Sequence, residues 1–160
     1  MIANWYEHLA AWLKFKGRHR MICRERDGNQ ENYLERFYIL STKYIGVYLH
    51  RFWIDDDDGL HDHPWHSISC LLSGSYDEEM PERQKVPYGP TIHKLRRPLH
   101  PLFYFRNKYA AHRITIPINT QESTWSLFVR FGTKRRTWGF YRNKGWESAE
   151  IQSRKETAIL

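Results

Sequence analysis

Gly59 to Gly74 reads GLHDHPWHSISCLLSG, and the reading of this stretch decides the fold. It places His61, His63 and His66 within six residues, directly after an acidic run from Asp55 to Asp58. A β-branched, apolar segment follows and ends at Gly74, a turn signal. Side chains alternate faces along a strand, so His61 and His63 point one way and Asp62 the other. Two imidazoles on one strand face can share a metal ion when a third ligand arrives from elsewhere. Taken alone, an H-x-H pair is more often a polar beginning to a strand, so the surrounding pattern has to decide.

Around this stretch lie 160 residues, enough for one domain with a real core. A 41% apolar and 16% aromatic content argues against disorder. No apolar run reaches the roughly 18 residues of a membrane span, and the opening MIANWYEHLA lacks the basic-then-apolar order of a secretory signal. Cys23 and Cys70 are too few for a disulfide framework, so a cytoplasmic protein with reduced thiols is expected. The formal charge of +7 and a pI near 9.5 favour polyanionic partners, and a nucleic acid or nucleotide is the alternative partner to a small anionic ligand.

Residues 1–18 are expected to carry an N-terminal amphipathic helix, with Trp5, Leu9, Trp12 and Leu13 on one stripe. Asn4 is placed to cap it, and Glu7 completes a capping box. The β region is read over 21–146 and a polar C-terminal tail over 147–160, all within a single domain spanning 1–160. MICRER and ENYLERFYIL flank Asp27-Gly28-Asn29, a hairpin turn. In YIGVYLHRFWI, residues Tyr44, Gly46, Tyr48, His50 and Phe52 share a face. The loop MPERQKVPYGP interrupts the pattern, and TIHKLRR, LFYFR, AHRITI, TWSLFVRF and TWGFY continue it. About nine strands with turn signals every eight to twelve residues indicate an all-β sandwich or barrel.

If His61 and His63 are ligands, the third must come from a strand lining the same interior. His112 leads because it opens HRITI some fifty residues downstream; His50 follows, and then His66, whose parity sets it on the opposite face. The stretch resembles the first motif of the cupin superfamily, with His61, His63 and Gly74 at their registers. The motif's glutamate is absent and its register falls on Ser67. The histidine of the second cupin motif corresponds to His112, whereas the neighbouring Pro, Gly and Asn registers fall on Asn107, Tyr109 and Ile116. The resemblance covers residues 40–140. More loosely, HDHPW with the late WGF and GW is similar to small cupin-type proteins encoded by bacteria and their phages.

This resemblance implies a cupin-type double-stranded β-helix, or jelly-roll barrel, that forms a homodimer. It also implies a divalent transition metal held by His61, His63 and His112. Fe(II) is favoured, with Zn or Ni as alternatives, because three neutral imidazoles suit these ions better than Mg or Ca. Cysteine dioxygenase-like cupins also open with HDH and lack the glutamate, which points to a dioxygenase more than to a hydrolase or isomerase. Ser67, at the glutamate register, and Tyr48 are the catalytic candidates. His50 and Arg130 are the substrate-binding candidates, Arg130 because a cation between Val129 and Phe131 needs an anionic partner if buried. Asp62 faces away from the site on an ideal strand, and the Asp55–Asp58 run reads as a solvated turn. The rival function is a basic cupin that binds nucleic acid or a nucleotide, its metal structural or absent. KRRTWGF has the composition for such a contact.

Overall fold

The computed structural model describes residues 4–26, 29–56, 59–81, 92–97, 103–116, 123–132, 137–142 and 145–149. One helix, α1 (Trp5–Phe15), precedes β1 (His19–Arg26), β2 (Asn29–Ser41), β3 (Ile45–Phe52), β4 (His66–Ser73) and β5 (Tyr76–Pro81). Then come β6 (Ile92–Arg97), β7 (Phe103–Arg106), β8 (Arg113–Thr115), β9 (Thr124–Phe131), β10 (Gly139–Arg142) and β11 (Gly145–Ser148). A six-stranded sheet has the order β1-β2-β3-β9-β4-β7, a three-stranded sheet the order β6-β5-β8, and β10 pairs with β11. Every described pairing is antiparallel. This agrees with the sandwich or barrel expected from the strand pattern and with the jelly-roll that the cupin resemblance implies.

Alternation along each strand builds two cores on opposite faces of the large sheet. On one face Tyr6, Ala10 and Leu13 of α1 pack against Phe37, Leu49 and Trp125. Phe37 stacks on Trp125 with ring centroids 5.8 Å apart, and Tyr6 lies 5.4 Å from the same ring. On the other face Leu34, Phe52 and Leu71 meet Tyr76 and Ile114 of the small sheet. Burying each of these larger side chains is worth roughly 1.5–3 kcal/mol. Together they clamp the two sheets around an interior lined from β3 by His50 and Phe52.

The chain crosses from the large sheet to the small one at Gly74. Its φ of 72° lies in the left-handed region, and a Cβ there would stand 2.7 Å from the Thr124 backbone. Glycine therefore satisfies both the turn and the close approach. Immediately beyond it, β5 buries Glu78 and Glu79, which meet different partners on its two faces.

Three local expectations are corrected. Asn4 has a φ of 76° and makes no side-chain cap; its backbone carbonyl, not a capping box, accepts from the Glu7 and His8 amides. Met80 and Pro81, read as the start of the MPERQKVPYGP loop, belong to β5 (Tyr76–Pro81), which has a partner on each side. Glu147 and Ser148, placed in the polar tail, belong to β11 opposite Phe140 and Gly139. The 82–91 part of the MPERQKVPYGP loop, the turn at 27–28, the INTQES turn over 118–122 and the tail over 150–160 lie outside the described residues.

Candidate metal centre

The histidines arrive from two directions. His61 and His63 sit in the segment between β3 and β4, and His112 immediately precedes β8. The backbones of His61 and His112 pair directly, each amide donating to the other's carbonyl at 2.9 Å. Cross-strand neighbours of this kind bring side chains on one face together. His61 forms a second antiparallel bridge with Phe140, so it lies between the β8 side and the C-terminal hairpin.

One ring nitrogen from each of His61, His63 and His112 lies within 4.8 Å of the others. The Nε2 atoms of His63 and His112 are 2.9 Å apart. A metal bonded at about 2.1 Å keeps adjacent nitrogens roughly 3 Å apart, so these side chains fit a transition ion. The opposite edges of two rings are engaged elsewhere. His61 Nδ1 lies 3.2 Å from Asp56 Oδ2 and 3.3 Å from the Gly59 carbonyl, and His112 Nδ1 lies 3.0 Å from Glu78 Oε1. Carboxylates behind ligating histidines fix ring orientation and leave Nε2 for the metal.

The surroundings of the centre keep His63 and His112 neutral. Burial pushes His112 down to about 4, with the Glu78 contact opposing the shift. Burial, reinforced by His112, His61 and Arg106, holds His63 well below its ordinary value. Burial alone would raise Glu78, but hydrogen bonds from His112 and Arg106 keep it well below the usual carboxylate range. Burial disfavours the Arg106 charge, and Glu78 more than restores it. Arg106 also donates to Ser69 Oγ at 2.6 Å. The centre is thus backed by a buried ion pair, with neutral nitrogen donors in front.

A cavity of about 350 Å³ opens from the three histidines. Its walls are largely apolar, including Leu34, Phe52, Phe128, Trp138 and Phe140. His50 and Arg36 line it from the large sheet, where they face each other in register. Arg36 Nε donates to His50 Nε2 at 3.0 Å.

Of the residues singled out from the sequence, the structure brings together His61, His63 and His112, with His50 in the wall of the same cavity. It places the remaining three elsewhere. Arg130 is absent from the cavity lining: its Nε donates to Tyr48 Oη at 2.9 Å, its Nη2 to the Thr42 carbonyl at 2.8 Å, and it lies over the Trp65 ring. The anion expected to balance it is replaced by these neutral acceptors. Tyr48 is buried among Tyr38, His50 and Phe128, with its hydroxyl turned to Arg130. Ser67 is buried on the inward face of β4, but Ser69, two residues on, is the serine that reaches the cavity. His66 stacks on Phe105 and Phe131 on the opposite face, as its parity requires.

Sequence reasoning missed the carboxylates. Asp55 accepts from the Ile116 amide, and Asp56 is buried against His61, so the first half of the acidic run is inside the molecule rather than solvated. Asp62 does face away from the metal centre, yet it is fully buried. Its carboxylate accepts from Gly139 N at 3.1 Å, Trp146 Nε1 at 3.0 Å and Tyr141 Oη at 3.3 Å. It ties the histidine segment to the β10–β11 hairpin, whose Phe140, with the preceding Trp138, forms part of the cavity wall. The side chains of Arg96, Arg97, Lys134, Arg135 and Arg136, central to the nucleic-acid alternative, lie outside the described residues.

No protein-family model and no curated protein matches the chain. Solved structures of similar fold do exist. An Fe(II)-HppE crystallised with the alternative substrate (S)-1-HPP matches 72% of this chain at 15% identity, with a TM-score of 0.50. Fe(II) HppE in complex with substrate matches the same share at 15% identity and a TM-score of 0.51. In both cases the match spans 57% of the HppE chain, a little over half its length. A cupin-like protein of unknown function from Ralstonia eutropha JMP134 matches 81% of this chain and 74% of its own, at 13% identity and a TM-score of 0.50. The chain has the cupin fold, and a three-histidine cluster stands in its interior. None of the described helices is long and apolar enough to cross a membrane.

Proposed function

We propose that this protein is a metal-dependent cupin enzyme of dioxygenase type, with Fe(II) held by His61, His63 and His112 and a small anionic substrate bound above it. The observation that carries this reading is the convergence of three imidazoles on one point, two of them backed by buried carboxylates. Iron is favoured over zinc or nickel because two matching structures of the same fold are Fe(II) proteins. When bound, such an ion supplies open coordination positions for substrate and for O2 activation.

The rest of the work falls to side chains. Asp56 and the Gly59 carbonyl orient His61, and Glu78 orients His112. Arg106 keeps Glu78 ionised, so that carboxylate takes no proton from His112 at neutral pH. Phe52, Phe128, Trp138 and Phe140 exclude bulk water from the cavity, which strengthens electrostatic interactions inside it.

Metal analysis of wild type and of the His61→Ala/His63→Ala variant after loading with Fe(II), Zn(II) or Ni(II) tests the site. Wild type is expected to retain about one ion per chain and the variant at least tenfold less; equal metal content in both overturns the reading. Oxygen uptake by the iron-loaded protein with a panel of small organic acids tests the reaction. Metal bound without any uptake removes the dioxygenase assignment and leaves the metal centre in place.

A further inference from the structure

Besides the three histidines of the candidate metal centre, three arginines and one histidine line the cavity: Arg24, Arg36, Arg106 and His50. Two of the arginines are neutralised. Arg24 pairs with Glu31 at 3.2 Å, and Arg106 with Glu78. Arg36 pairs with no carboxylate among the described residues. Its contacts are the His50 Nε2 acceptor, Tyr38, and the face of Tyr48 at 5.3 Å. A cation–π contact offsets only part of the cost of desolvating a guanidinium.

The Arg36 side chain is also held in place. It stands opposite His50 in the β2–β3 register, and His50 is stacked against Phe128 with ring centroids 4.9 Å apart. Since His50 accepts from Arg36 through Nε2, its own proton resides on Nδ1. Burial and the Arg36 charge together hold His50 well below its ordinary value, so it remains a neutral acceptor. His50 therefore orients the guanidinium without neutralising it. Asp56 also lines the cavity, but its carboxylate is turned to His61 Nδ1.

We infer that Arg36, positioned by His50, is the anion subsite of this cavity and holds the acid group of a small organic acid whose apolar body lies against Phe52, Phe128 and Phe140. This rests on the metal-enzyme reading for its place in a reaction, though not for binding itself. A planar guanidinium matches a carboxylate or a phosphonate oxygen pair. The volume of about 350 Å³ is at the small end of ligand pockets and excludes polymers as occupants. The substrate class is thus a compact acid with an apolar or aromatic body, carrying its charge on the large-sheet side of the cavity.

Benzoate and its neutral isostere benzamide probe the subsite in the full chain, metal-free and metal-loaded, through the fluorescence of Trp65 and Trp138 in the cavity wall. Benzoate is expected to bind wild type at least tenfold more tightly than benzamide. Arg36→Gln should remove that preference, Arg36→Lys should restore part of it, and Arg18→Gln, whose exposed side chain bonds the Ile39 carbonyl outside the cavity, should leave it intact. Equal binding of the two probes by wild type overturns the inference without any variant. So does a preference that survives Arg36→Gln, or one lost equally in Arg18→Gln. Metal content measured on the same samples separates the two readings. Arg36-dependent benzoate binding in a protein that takes up no metal keeps the subsite and sinks the metal enzyme. Full metal loading with Arg36-independent benzoate binding does the reverse.

Discussion

Glu78 is completely buried, yet it touches both a candidate ligand and a cation, His112 on one side and Arg106 on the other. Replacing it with glutamine keeps the shape and removes the charge. Glu78→Gln leaves Arg106 buried without its counter-ion, a loss of about 3–5 kcal/mol, and weakens metal binding by roughly 10–100-fold through a disoriented His112. Urea unfolding and a chelator competition measure the two effects separately; wild-type values in both contradict the role given to Glu78. The histidines were legible because their message is local: H-x-H spacing and a glycine at a fixed distance. Glu78 was not, because Asp77, Glu78 and Glu79 form an acidic run in which nothing in the sequence marks the residue that meets His112. Asp56 was hidden in the same way, inside four aspartates that resemble a wet turn. Arg130 differs: its place in a strand was legible from Val129 and Phe131, but its partners, a tyrosine hydroxyl and a carbonyl, come from distant chain.

Among the elements, the β4–β5 crossing at Gly74 has the least tolerance. An alanine there takes on a left-handed φ at about 1–2 kcal/mol and a clash with the Thr124 backbone on top of it. Gly74→Ala is expected to lower the urea midpoint by more than the left-handed penalty alone, with loss of metal binding because β5 no longer delivers Glu78. A variant as stable as wild type contradicts this account of the turn. Strands rich in aromatic and β-branched residues, such as β3 and β9, were legible from their composition. β5 was concealed by charged residues that are buried because Arg106 and Arg113 meet them. β11 was concealed by its polar composition; its place depends on pairing with β10 and on the Trp146 bond to Asp62. The α1 stripe was correct and its capping box was not, because the Asn4 backbone turns left-handed and carries its side chain away from the helix amides.

For the molecule as a whole, the buried neutral histidines make stability depend on pH. His112 binds its proton at about 4 when folded, against an ordinary value of 6.5. Between these values the unfolded chain holds more protons, so stability falls as pH drops through that window. His63 and His50 act in the same direction, and Glu78 adds to it below its ordinary value of 4.5, where the folded carboxylate stays ionised while the unfolded one takes up a proton. The metal-free protein is expected to lose stability steadily from pH 7 to pH 4, as read by urea midpoints; a flat profile contradicts the buried neutral assignment. The all-β class and the barrel were legible at this scale because alternation repeats along the whole chain. The closure of the barrel over its cavity was not, because it depends on contacts between segments far apart in sequence. Asp62 makes several of these, to residues 77 to 84 positions later. Read as a matter of biosynthesis, that span sets an order of events. The histidine segment leaves the ribosome well before the hairpin that roofs it, so a growing chain presents its imidazoles on an open half-site. Any ion bound at that stage would sit exposed to exchange, and the Asp62 contacts with Gly139 and Trp146 would close the site over it.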